Sequence, residues 1–86
     1  MTVEGTIRRR VAEVARVSSH TLGPDTDLVR DLALSSLELL QLLAFVEDRF
    51  GVTIPNEELV SLTTIQRIVD KVTDLQANRD PVAAAS

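Results

Sequence analysis

The stretch from Asp31 to Phe50 constrains the chain most, because it carries the signals for both ends of one helix. Ser35 followed three positions later by Glu38 forms a capping box. In that arrangement the serine hydroxyl accepts an amide of the first turn while the glutamate reaches back to the cap's own amide. Gly51 fits the left-handed position after the last turn. Ser36 then falls in the first turn, where backbone amides point outward and the helix dipole is positive. A phosphate ester on Ser36 would find a favourable environment there.

At about 100° per residue, Leu39, Leu42, Leu43, Val46 and Phe50 share one side of this helix and read as its core face. The other side gathers Leu37, Leu40, Gln41, Ala44, Glu47 and Asp48, so apolar residues stand among acids where a surface helix is ordinarily polar. This reads as a docking surface. The alternative is that the preceding loop covers Leu37 and Leu40.

The remaining elements follow from periodicity. Val3, Ile7, Val11, Val14 and Val17 make one helical face over residues 3–17. From Ser18 to Leu34 the period is lost amid turn signals such as Gly23-Pro24 and Asp25-Thr26-Asp27, which predicts a long loop anchored by Leu22, Leu28, Leu32 and Leu34. After the central helix, Asn56 reads as the cap of a short helix over Glu57 to Leu62. Thr63 or Thr64 caps a last helix, Gln66 completes a box from Thr63, and Ile65, Ile68, Val69, Val72 and Leu75 form its buried stripe. That helix is expected to end near Gln76. Residues 77–86 have no periodic pattern and read as a disordered tail, so the domain is expected over residues 1–76. The predicted fold is all-α: a small four-helix bundle of three principal helices and one short one, with a long first loop.

Charge is unevenly distributed along the 86 residues. Residues 25–58 hold eight acids against Arg30 and Arg49, whereas residues 1–24 are net positive and the whole chain is −4. An acidic middle repels nucleic acid and attracts basic protein surfaces. The run Arg8-Arg9-Arg10 reads as a solvated helix face, since Arg9 and Arg16 lie near acids and the only aromatics are two phenylalanines in the central helix. No apolar run is long enough for a membrane span, and the residues after Met1 are charged and amphipathic, so a cytoplasmic monomer is expected.

The inventory for catalysis is thin. With no cysteine, disulfides and thiolate metal sites are excluded. Three scattered glycines make no phosphate-cradling loop, and His20, the single histidine, has no neighbouring acid cluster to make it a base or a metal ligand. No catalytic or metal residue is assigned. Ser36 has no evident activator and reads as a residue that another enzyme modifies.

These residues resemble a known family. Asp31-Leu-Ala-Leu-Ser-Ser-Leu-Glu38 is similar to the carrier-protein signature around the 4'-phosphopantetheine attachment serine, with Ser36 in the matching position. Asp25-Thr-Asp-Leu-Val-Arg-Asp-Leu32 resembles the approach to that motif in acyl carrier proteins. Val46 to Pro55 resembles the exit from their second helix, and Leu62-Thr-Thr-Ile-Gln66 the entry to their last. The resemblance implies an acyl-carrier-protein-like bundle in which a separate phosphopantetheinyl transferase, using coenzyme A as donor, modifies Ser36. The arm's thiol would hold acyl groups as thioesters, and Leu37, Glu38, Leu40, Gln41, Ala44, Glu47 and Asp48 would meet acyl-transferring, condensing and modifying enzymes with basic docking surfaces. A fatty-acid or polyketide-type carrier is the first reading. An aminoacyl or peptidyl carrier and an unmodified helical adaptor are the alternatives.

The match departs from the family at three positions. Ser35 stands where aspartate usually precedes the modified serine, Ala33 where glycine is usual two residues earlier, and Gln41 where many relatives have an acid.

Overall fold

A computed structural model describes the backbone of residues 2–85 and the side chains of residues 2–77. Three α-helices, α1 (Val3–Ala15), α2 (Ser36–Phe50) and α3 (Ile65–Ala85), are joined by segments that include 3-10 turns at Ser19–Thr21 and Asn56–Ser61. There is no strand among the described residues; the single bridge pairs Asp27 with Thr64. Helix α1 packs against both α3 and α2. The small helical bundle expected from periodicity is the fold.

The core is aliphatic. Ile7, Val11, Leu28, Leu42, Leu43, Val46, Ile65, Ile68 and Val72 are all essentially inaccessible to solvent. Leu39 and Phe50, expected on the same face of α2, are partly buried against this cluster. Val17 departs from expectation at 38% exposed. Its helix has already ended, because Arg16 adopts the left-handed conformation (φ 59°) and turns the chain away from the α1 axis.

The long loop is held like an element of the bundle. Leu22, Leu28 and Leu34 are buried and Leu32 packs against the core. The Leu28 amide donates to Thr63 O at 2.7 Å and the Gln66 amide to Pro24 O at 3.0 Å, so the loop is clasped to the start of α3. Asp27 and Asp31 stabilise the turn between them: Asp27 Oδ1 accepts from the Val29 and Arg30 amides (2.9 and 2.7 Å), and Asp31 Oδ2 accepts from the Asp27 amide (2.9 Å).

Two capping expectations need correction, and a third, that Thr63 or Thr64 caps α3, is met by Thr64. The short segment begins at Asn56 itself, with Pro55 before it and no side-chain cap, so Asn56 is not a cap. Thr64 caps α3, its hydroxyl accepting from the Arg67 amide at 3.1 Å. Gln66 donates to Asp70 Oδ1 at 2.7 Å and forms no box with Thr63, which gives its carbonyl to Leu28. Helical backbone also continues past the end expected near Gln76, as far as Ala85. The side chains of the expected tail, from residue 78 onward, lie outside the described residues.

One backbone feature sits directly before α2. Ala33 has φ 56°, a left-handed conformation that costs an L-residue about 1–2 kcal/mol. This is where the resembling family prefers glycine. Ala33 is exposed, so its methyl contributes little packing. We expect Ala33→Gly to stabilise the domain by about 0.5–1 kcal/mol after the unfolded-state entropy of glycine is deducted, raising Tm by about 2–8 °C. Thermal unfolding followed by circular dichroism checks this; a lowered Tm would mean that strain at Ala33 is not what limits the turn.

Candidate functional site

The two adjacent serines at the start of α2 have different surroundings. Ser35 is the cap: its Oγ accepts from the Glu38 amide at 3.2 Å, and Glu38 Oε1 accepts from the Ser35 amide at 2.9 Å. Both halves of the expected capping box are present. Ser36 is the first helical residue and is exposed, and no intramolecular hydrogen bond engages its hydroxyl among the described residues. The first i to i−4 bond of the helix is Leu39 amide to Ser35 O at 2.9 Å, leaving the amides of Ser36 and Leu37 without a backbone acceptor. A phosphodiester fits this position. It would meet unpaired amides and the positive end of a fifteen-residue helix.

Running along α2 from this point, Leu37 (64% exposed) and Leu40 (48%) stand open to solvent. The alternative that the loop covers them is thereby excluded. Gln41, Ala44 and Asp48 are exposed on the same face, which is the arrangement expected from the sequence. Glu38 and Glu47 differ. Glu38 is half-buried in the capping box, and Glu47 is half-buried with Oε2 accepting from the Ile54 amide at 2.7 Å. The Glu47 carbonyl also receives the Gly51 and Val52 amides, so this residue pins the turn in which Gly51 is left-handed (φ 66°). Placing Glu47 on the docking surface gave no sign of this, because its partner lies seven residues on and beyond a helix end.

The acidic middle is therefore partly a folding device. Asp27, Asp31, Glu38 and Glu47 all accept backbone amides, and Glu58 pairs with Lys71 of α3. Asp25, Asp48 and Glu57 remain as exposed acids of that region. The 3-10 segment adds one group that sequence reading did not single out: Val60, 81% exposed, an apolar side chain next to an acidic run. Val60 lies between Leu59 and Leu62 in a segment too short for any periodicity to mark which aliphatic faces out.

A bundle that offers a serine hydroxyl at the start of a capped helix, beside an exposed apolar and acidic face, defines a carrier domain. A family model described as phosphopantetheine attachment site matches residues 5–72, and the chain belongs to that family. Its members are carriers to which 4'-phosphopantetheine is attached covalently, and they work with a phosphopantetheinyl transferase and biosynthetic enzymes. No described helix is long and apolar enough to cross a membrane.

Proposed function

We propose that Ser36 is the attachment residue and that the chain is an acyl carrier of fatty-acid or polyketide type, a cytoplasmic monomer whose working unit is residues 1–76. The observation that carries this reading is the contrast between the two serines: the Ser35 hydroxyl is engaged in the cap, and the Ser36 hydroxyl is exposed and unengaged. A carrier takes its thiol from the arm, which fits a polypeptide without cysteine. The polypeptide's own part is to hold the hydroxyl outward, to offer amides to the phosphodiester, and to present a recognition face next to it.

That face comprises Leu37, Leu40, Gln41, Ala44 and Asp48. Its size suits brief encounters, in which a small apolar patch with screened charge gives quick release. Incubation with coenzyme A and a phosphopantetheinyl transferase, read by intact mass, is expected to give a single addition. A chain that no transferase modifies, including one from the native host, would be a helical adaptor. For recognition, Leu37→Ser combined with Asp48→Lys is expected to lower kcat/KM of partner enzymes about tenfold with unchanged helicity. Unchanged turnover across several partners would remove this face from the proposal. Glu47 is unsuitable for that test, because replacing it also releases the Ile54 amide.

A further inference from the structure

A shallow groove of about 250 Å3 lies between α1 and α2, lined by Thr6, Arg9, Arg10, Glu13, Phe45 and Arg49. Its charge is opposite to that of the carrier face. The Arg10 guanidinium stands over the Phe45 ring, 4.5 Å from its centroid, and Arg10 Nη1 lies 3.2 Å from Glu13 Oε1. Ring and carboxylate together orient this arginine. Arg9 and Arg49 are exposed, and neither has a carboxylate in ion-pair range among the described residues. Three guanidinium groups from two helices converge on a groove that already contains one carboxylate.

We infer that this groove docks an acidic segment of a partner protein, two of whose carboxylates pair with Arg9 and Arg49. The groove is smaller than the roughly 300–1,000 Å3 of small-molecule sites, so side chains of a protein surface fit it better than a free ligand. Guanidinium forks match carboxylates in a bidentate way, and the Glu13 to Arg10 pair is an internal example of a carboxylate held there. Glu13 and the net charge of −4 oppose a densely charged phosphate polymer much more than two spaced carboxylates. Phe45 and Arg49 follow Leu40 by five and nine residues, about 140° and 180° around α2. An acidic segment in the groove thus leaves the Leu37 and Leu40 face open to enzymes. The domain can be retained by one partner while it serves another.

The test uses the full chain and three probes: a short synthetic peptide with paired glutamates, the same peptide with lysines, and inorganic phosphate. Amide chemical shifts are followed by NMR, with sedimentation in parallel. The glutamate peptide is expected to shift the Arg9, Phe45 and Arg49 amides while the lysine peptide leaves them unmoved. Arg9→Gln with Arg49→Gln is expected to weaken this binding about tenfold, with helicity retained. Equal binding by the double variant, or shifts confined to the start of α2, would overturn the inference. The same shifts from phosphate at equal concentration would mean an adventitious ion only and overturn it as well. Self-association lost in the double variant would assign the groove to a second copy and refute the partner segment. The carrier reading fails separately: a chain that binds the glutamate peptide but is never loaded keeps the groove and loses the arm.

Discussion

Ser36→Ala is expected to abolish phosphopantetheine addition and to leave stability within about 0.5 kcal/mol, whereas Ser35→Ala is expected to be loaded still but to lose about 0.5–2 kcal/mol. This opposite pair of outcomes is expected because the neighbours divide two tasks. The Ser35 hydroxyl accepts an amide that alanine would leave unpaired in the first turn. The Ser36 hydroxyl holds nothing in place and is exposed, so removing it costs the fold little and removes the only atom proposed to carry the ester. Intact mass after incubation with transferase reads one property, and urea unfolding reads the other. Loading of the Ser36→Ala chain would move the attachment elsewhere and end the proposed assignment.

The second large effect is expected inside the loop. Leu28→Ala should cost about 2–5 kcal/mol, the range for truncating a fully buried leucine. The side chain is completely inaccessible, although it belongs to neither a helix nor a strand. Its amide donates to Thr63 and its carbonyl accepts from Leu34, so the side chain sits where the loop, the approach to α2 and the start of α3 meet. For 86 residues a total stability of about 4–13 kcal/mol is ordinary. This single truncation therefore removes a large share of it. Urea unfolding of Leu28→Ala beside Leu37→Ala provides the contrast, since Leu37 is exposed and its loss should stay within about 0.5 kcal/mol. A Leu28 cost below about 1 kcal/mol would show that the loop is not part of the core.

The parts of this molecule that were legible in sequence are those specified by neighbours a few residues apart. The capping box of Ser35 and Glu38, the stop at Gly51, the stripe of α1 as far as Val14 and the stripe of α3 depend on spacings of three and four, and they are present as read. What was not legible depends on partners far along the chain or on a backbone turn. Val17 continues the apolar spacing of α1 but stands beyond the turn at Arg16. Glu47 looked like its neighbour Asp48, yet only Glu47 meets the Ile54 amide. Thr63 and Thr64 were equivalent as caps until pairing with the loop engaged the Thr63 carbonyl. The arginine groove needed two helices to be brought together, and Arg10 over Phe45 has no trace in either segment alone.

Helix α2 carries both the exposed hydroxyl and the proposed recognition face, and its two ends are fixed by the Ser35 box and by Gly51 with Glu47. From residue 36 to residue 48 the helix rises about 18 Å, a distance that an intact rod cannot change. An enzyme that grips the far end of this rod thereby determines where the arm's root stands, before the arm itself has moved. In the proposed carrier, partners would share a common ruler: the span between grip and tunnel mouth would be written into α2, and each enzyme would differ only in how deep its tunnel runs.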